Sequence, residues 1–390
     1  MLLYVNRKRL LERNTPLKIL HISDCHFGLQ YAAIKSVEAR NEVTEARLKA
    51  LQNAVDIANR EKCDAFIIAG DLFENHNVTQ KLIKSVCAIL NEFNNGTVYV
   101  LPGNHDYYND DEPTLWNYFS EVCGDNIYLF TENKMHEAVI NGEKVRFYPC
   151  ICHDRHASEN ALGWVKKEEL DSSFTNIGIA HGSLSGLSFD REGDYYSMSP
   201  EELNDIPVDV WLLGHAHIPE PYCEYDKVIG HTRIYNAGTH QQTNVHNNVE
   251  GSVFVIDIGN QKYVRAKRVK TGTIRFLELV INVTPDDEIE KLITEKLSGI
   301  DVKNTVLRLT VNGTANSDEY EKRQTIEKLV SEKVLYLDKI YLNITKEITT
   351  QMIDEETIAG SIENKLLKKY VDEPDILAAA YELVMSCKEN

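Results

Sequence analysis

Five short clusters of ionisable and hydrogen-bonding residues stand at the ends of apolar runs: Asp24-Cys25-His26, Gly70-Asp71, Gly103-Asn104-His105-Asp106, His181-Gly182 and Gly214-His215-Ala216-His217. The third is the richest. Its amide oxygen can bind a hard metal ion, its imidazole can move a proton, and its carboxylate can orient that imidazole. Taken alone, a Gly-Asn turn with a surface histidine would account for it. Four further clusters in equivalent places overturn that account, because random placement would not put Asp, His or Asn at five strand ends. Asp24 and His26 are two apart on extended chain, so their side chains point the same way and can share one ion.

Residues 18–23, 64–69, 97–101, 176–180 and 208–213 read as short buried strands. The pattern turns helical over 37–60, with Val43, Ala46, Leu51, Ala54, Val55 and Ala58 loosely on one side, and again over 78–93. Strand, helix, strand, helix, strand predicts a right-handed parallel α/β unit. Such a sheet brings the side chains at its carboxyl edges to one crevice. Residues 233–236, 252–258 and 263–269 suit the second sheet of a layered domain.

Lys270-Thr271-Gly272 marks a boundary, which gives a first domain over 1–270. Beyond it Leu277, Leu279, Ile281 and Val283 alternate onto one face, and 287–297 is an amphipathic helix. A strand over 305–311, a helix over 319–332 and a strand over 335–344 complete a compact second domain at 275–346. The tail, 350–390, carries two helical patterns that meet near 372–374. Ile358, Ile362, Leu366 and Tyr370 form one apolar stripe, and Ile376, Ala380, Tyr381 and Val384 the other. Both stripes suit packing on their own domain or a platform for a partner's helices.

The 390 residues exceed one ordinary domain, and no stretch approaches the roughly 18 apolar residues of a membrane span. Arg7, Lys8, Arg9 and Arg13 have no apolar core behind them, so the start does not read as a secretory signal, and a cytoplasmic protein without a membrane role is expected. The Arg7 to Arg9 run reads as a solvated charge run. Eight cysteines with no Cys-x-x-Cys pair predict neither a disulfide framework nor a zinc-thiolate site. A formal charge of −18 argues against blanket attraction to nucleic acid. It does not exclude local attraction, because charges beyond about 8 Å are screened.

The five clusters, in this order, resemble the calcineurin-like metallophosphoesterase superfamily. The resemblance implies an α/β fold: a layered β-sandwich flanked by helices, with a small α+β capping domain and a C-terminal helical tail. It also implies two divalent metal ions, one held by Asp24, His26, Asp71 and His217, the other by Asp71, Asn104, His181 and His215. Asp71 is shared because a carboxylate has two oxygens able to bridge ions about 3.5–4 Å apart. Carboxylate, amide and imidazole donors without thiolate suit Mn²⁺, Mg²⁺ or Fe²⁺, and Mn²⁺ is what the nearest relatives suggest. His105, outside the ligand set, would protonate or stabilise the leaving oxygen, and Asp106 would hold its ring.

Asp71-Leu72-Phe73-Glu74, Asn104-His105-Asp106, Ile234 to Thr239 and Gly251 to Asp257 are similar to the nuclease subunits of SbcCD-type DNA repair complexes. That narrower resemblance implies a DNA exonuclease or endonuclease, a coiled-coil SbcC-like ATPase partner and a homodimer of nuclease subunits. A stand-alone phosphodiesterase for small nucleotides is the alternative. Glu74 stands where some of these enzymes carry histidine, and reads equally as support for the ligands or as a helix-start residue. Asn236-Ala237-Gly238-Thr239 replaces a more usual Asn-Pro-Gly-Ser. Of the other histidines, His21 is expected to pack within its strand. His76, His153, His156, His240 and His246 lie in polar loops and read as surface residues.

Overall fold

A computed structural model describes residues 16–109, 114–187, 193–230, 232–259 and 261–388. The Arg7 to Arg9 run lies outside them. The chain divides into two compact units, Met1–Arg275 and Phe276–Asn390.

In the first unit, β1 (Leu17–Ile22), β2 (Ala65–Ala69), β3 (Thr97–Leu101) and β4 (Ile127–Leu129) pair in parallel, each with its successor in the chain. Their near-continuous apolar runs are what a sheet buried on both faces requires. Leu20, Ile22, Phe66, Ile68, Val98 and Val100 pack under helices α1 (Val37–Arg60), α2 (Gln80–Leu90) and α3 (Thr114–Val122). Ile19, Ile67, Tyr99 and Leu101 face the other way. Ser36 starts α1 by accepting the N–H of Ala39 at 3.1 Å, and Thr79 caps α2 through Leu82 in the same manner.

The second sheet contains β5 (His136–Ile140), β6 (Glu143–Cys150), β7 (Thr175–His181), β8 (Val210–Gly214) and β10 (Ile234–Asn236), in the order β10-β8-β7-β6-β5. Val145, Phe147, Ile177, Ile179, Val210 and Leu212 meet the first sheet in one shared core. His21 crosses that core. Fully buried on β1, it directs Nε2 at the carbonyl oxygens of Leu213 and Tyr235, 3.0 and 3.3 Å away on the opposite sheet.

The strands beyond residue 230 do not all join the second sheet as expected. Only β10 does. β11 (Ser252–Ile258) returns to lie antiparallel beside β1, followed by β12 (Val264–Lys270) and β9 (Val228–Gly230). Val253 and Val255 pack on the helix side while Phe254 and Ile256 enter the inter-sheet core, so β11 needs a central place with both faces covered. One disulfide, Cys87–Cys123, departs from the cysteine reading; it joins α2 to the residue after α3, with Cα atoms 5.1 Å apart. Among the described residues, no helix is long and apolar enough to cross a membrane.

The second unit has a three-stranded sheet ordered β13 (Arg275–Val283), β14 (Thr305–Ala315), β15 (Tyr336–Lys346), with β14 and β15 parallel. Leu277, Ile281 and Val283 share a core with Ile289 and Ile293 of helix α4 (Ile289–Leu297) and Ile326 and Val330 of helix α5 (Ser317–Ser331). The tail forms three helices, α6 (Thr350–Glu356), α7 (Ile362–Lys369) and α8 (Pro374–Lys388), where two patterns were read. Its core is Ile353, Leu367, Leu377 and Val384. Of the stripe read through Ile358, Ile362, Leu366 and Tyr370, the first three are 83, 84 and 40 % exposed, and only Tyr370 packs against that core. Leu367, one position beyond Leu366, fills the core instead.

Candidate metal centre

Both sheets deliver carboxyl ends of strands to one place. Nδ1 of His181, at the end of β7, lies 2.8 Å from the carbonyl oxygen of Ala69, at the end of β2. The N–H of His215, just beyond β8, donates to both carboxylate oxygens of Asp24 at 3.0 Å. The turns that follow the strands are sharp. Asp24, His26, Asp71 and His215 all have left-handed backbone, with φ of 53°, 46°, 52° and 99°. Such conformations cost non-glycine residues about 1–3 kcal/mol each and persist where surrounding structure imposes them. Gly70 permits the closest approach there: a Cβ on it would stand 2.0 Å from Nδ1 of His181, and one on Gly103 2.2 Å from Oδ1 of Asp71.

The seven candidate ligands come together around Asp71. Its Oδ2 is 3.3 Å from Nε2 of His181 and 3.6 Å from Nε2 of His26. On one side, His26 Nε2 is 3.1 Å from His217 Nε2, which is 3.9 Å from Oδ1 of Asp24. On the other, Oδ1 of Asn104 is 3.1 Å from both His181 Nε2 and His215 Nδ1. All seven belong to one constellation, with Asp71 between its halves. The remaining Asp71 oxygen, Oδ1, accepts the N–H of His105 at 2.8 Å.

Each half pairs one histidine whose charged form is disfavoured, His217 or His215, with one whose charged form is favoured, His26 or His181. Burial disfavours the charged forms of His215 and His217, and neighbouring His181 and His26 respectively disfavour them further; the His215 ring falls to about 4 and that of His217 lies well below its ordinary range. Burial also acts against charge on His181, but Asp71 more than offsets it and lifts the ring to about 9. Desolvation would raise Asp71, yet His181 and His26 hold its carboxyl well below the usual range. Asp24 is pushed up to about 6, chiefly by burial.

Asp106 does not hold the His105 ring. Its carboxylate is fully buried and accepts the backbone N–H groups of Gly103 at 2.7 Å and Phe73 at 2.9 Å, which ties the Asn104 turn to the turn after β2. Burial and the Asp71 charge raise its carboxyl to about 7. Nδ1 of His105 instead faces the main-chain carbonyl of Glu74 at 3.0 Å, with Oε1 of the same residue 3.8 Å away. Glu74 thereby leaves its helix-start reading behind: its other oxygen lies 2.8 Å from Nδ1 of His26.

Three further residues escaped the sequence reading. Arg47 is 1 % exposed, and its guanidinium meets the main-chain oxygens of Cys25 (Nε, 2.9 Å), Asp24 (3.4 Å) and Gln241 (3.4 Å) and the Tyr31 hydroxyl (3.1 Å), with no carboxylate partner among the described residues. Thr243 Oγ1 is 3.3 Å from Nδ1 of His217. His240, read as a surface residue, is fully buried against Phe27, with Nε2 2.9 Å from the Arg47 carbonyl. A signal for Arg47 was present, because it falls on the apolar face of α1 among Val43, Ala50, Leu51 and Ala54. The loop carrying His240 and Thr243 gave none.

Residues 17–219 match the sequence profile of the calcineurin-like phosphoesterases. The chain belongs to that family. It is also 28 % identical over 214 residues to the uncharacterized metallophosphoesterase YhaO of Bacillus subtilis, covering 52 % of this chain and 49 % of that protein, so it spans about half the length of the curated relative. Among solved structures, TT1561 of Thermus thermophilus is 12 % identical with a TM-score of 0.39, over 66 % of this chain and all of that one. A dimetal phosphatase from Danio rerio gives 12 % and 0.36 over the same shares.

The donors fit a pair of divalent ions. Asp24, His26 and His217 converge as one group of possible ligands, and Asp24, Asp71 and His181 as another. Two imidazole nitrogens facing each other at 3.1 Å, one on a ring held neutral, repel unless a cation or proton lies between them. Ions bound there lower the pKa of water and neutralise charge on phosphoryl oxygens. The protein's own part is to orient the His26 ring through Glu74, to fix the Asp71 and Asn104 turns through Asp106, and to hold His105 beside His26 and Glu74, with which it forms a third group of possible ligands.

Proposed function

We propose that the chain is a manganese-dependent phosphodiesterase acting on DNA, the nuclease subunit of an SbcCD-like repair complex. The candidate centre supplies hydrolysis, and His105 the proton for the leaving oxygen. The observation that carries the DNA reading is the second unit, a strand-helix-strand-helix-strand sheet followed by a three-helix tail, which hydrolysis of a small nucleotide does not call for. The tail leaves Ile358, Ile362, Leu366 and Leu383 in solvent, a surface suited to the helices of a coiled-coil ATPase. Purified protein with Mn²⁺, offered labelled single-stranded DNA, duplex DNA and a chromogenic phosphodiester side by side, tests it. Cleavage of the chromogenic diester without cleavage of either DNA would favour the second reading, a stand-alone enzyme for small nucleotides. That reading draws support from a half-open cavity lined by Gly28 and Asn75, close in sequence to His26 and Glu74.

A further inference from the structure

The cavity lies between three segments: the loop after β1, the first turns of α1 and the loop that leads from β2 into α2. Its volume is about 560 Å³, within the range of roughly 300–1,000 Å³ that accommodates small-molecule ligands. It adjoins the candidate centre through the chain itself. Gly28, on one wall, is two residues beyond His26, and Asn75, on the opposite wall, follows Glu74. Gly28 is also the close contact between the walls. With φ at 105°, a Cβ on it would stand 2.6 Å from Val78 Cγ1 and 3.8 Å from Glu74 Cβ, so a side chain here would crowd the cavity wall.

The lining has a definite chemistry. Val78 and Leu82 give an apolar patch, and the amides of Gln30, Asn41, Asn75 and Asn77 surround it with donors and acceptors. Among the described residues, no acidic side chain lines the cavity. The single cation is Arg40, half-buried, whose guanidinium makes no ion pair or side-chain hydrogen bond among the described residues. A planar heterocycle with mixed donors and acceptors suits the apolar patch and the amides, and an anionic oxygen suits Arg40.

We propose that this cavity holds one nucleotide of the substrate, with its base over Val78 and Leu82 and its flanking phosphate on Arg40. The inference rests on the phosphodiesterase reading. It deepens that reading by naming the part of the substrate the protein grips: a nucleotide next to the scissile phosphodiester, since the cavity-lining Gly28 packs toward Glu74, which meets both His26 and His105. The cavity then sets preference for nucleotide diesters over simple ones.

Two variants test this without disturbing the candidate ligands. Arg40→Ala removes the cation, and Thr44→Trp, at an exposed lining position of α1, fills the space. With Mn²⁺, the ratio of kcat/KM for a short oligonucleotide to that for methyl p-nitrophenyl phosphate is expected to fall about tenfold in each variant, mainly through KM for the oligonucleotide. Saturation-transfer NMR with thymidine monophosphate on metal-free protein gives a readout independent of turnover: the wild type shows contact and Thr44→Trp loses it. An unchanged ratio in both variants would overturn the proposal, as would equal nucleotide contact in wild type and Thr44→Trp. If no diester is hydrolysed at all, the phosphodiesterase reading fails, while the NMR comparison still decides whether the cavity takes a nucleotide.

Discussion

Nδ1 of His26 lies 2.8 Å from Oε2 of Glu74. A carboxylate only accepts, so Nδ1 carries a proton, which leaves Nε2, beside Asp71 and His217, as the atom that would give its lone pair to a bound ion. Glu74→Gln keeps the shape of the contact but lets the amide turn its NH₂ toward the ring and favour the opposite tautomer. Affinity for Mn²⁺ is expected to fall about 10–100-fold, as when outer partners of metal-binding histidines are lost. Isothermal titration with Mn²⁺ measures it, and an unchanged Kd would remove Glu74 from that role.

Asp71→Asn should abolish turnover and weaken metal binding in both halves of the centre, because a neutral amide bridges two cations poorly. Metal analysis after gel filtration checks this. Two tightly bound ions in an active Asp71→Asn protein would disprove the shared position.

His105→Asn should separate chemistry from assembly. Its Nδ1 is engaged by the Glu74 carbonyl at 3.0 Å, so with His105 acting on the leaving oxygen both ions are expected to remain while phosphodiester cleavage drops by at least about 10²-fold. Loss of metal together with activity would make His105 a ligand.

Arg47 bonds the carbonyl oxygens of Asp24 and Cys25, within the turn where Asp24 and His26 are left-handed. Arg47→Met removes those donors and leaves the carbonyls buried. We expect weaker Mn²⁺ binding and a lower melting temperature, with Arg47→Lys closer to Met than to Arg, since an ammonium cannot reach several oxygens in one plane. Lysine restoring both properties would mean that charge, not the fork, matters.

His21 gives a pH-dependent term in stability. Burial lowers its ring from the ordinary 6.5 to about 4, so below pH 6.5 the unfolded chain binds a proton that the folded chain refuses. Its contribution is complete above pH 6.5 and is lost as pH falls toward 4, by about 3 kcal/mol at most. In metal-free protein, the difference in urea stability between wild type and His21→Gln should shift in favour of the variant across that window. A difference constant from pH 7 to pH 4 would contradict it.

The parallel strands were legible because their runs are buried on both faces, and α1 falls over residues 37–60 as its apolar spacing indicates. The candidate ligands were legible for a related reason: a strand end is a short, locally coded feature, and Asp24 and Asp71 each follow one while His181 is the last residue of another. What could not be read depends on distant pairing. The carboxylate of Asp106 is claimed by backbone groups at Gly103 and Phe73, and nothing in Asn104-His105-Asp106 distinguishes that from a bond to the neighbouring ring. The place of β11 beside β1, and of Leu367 rather than Leu366 in the tail core, was likewise decided by long-range contacts.

The position of β11 bears on how the protein is made. Leu17 pairs with Ile258, so one edge of β1 waits for about 240 further residues before its partner exists. At roughly 5–20 residues per second, a ribosome leaves that edge open for some tens of seconds, long after β2 has docked on the other side. A nascent chain in this interval carries an apolar strand with free N–H and C=O groups, the kind of template that recruits wrong partners or a chaperone. The same arithmetic limits dissection: a fragment ending at residue 219, where the family match stops, has the candidate ligands but lacks the strand that closes their sheet.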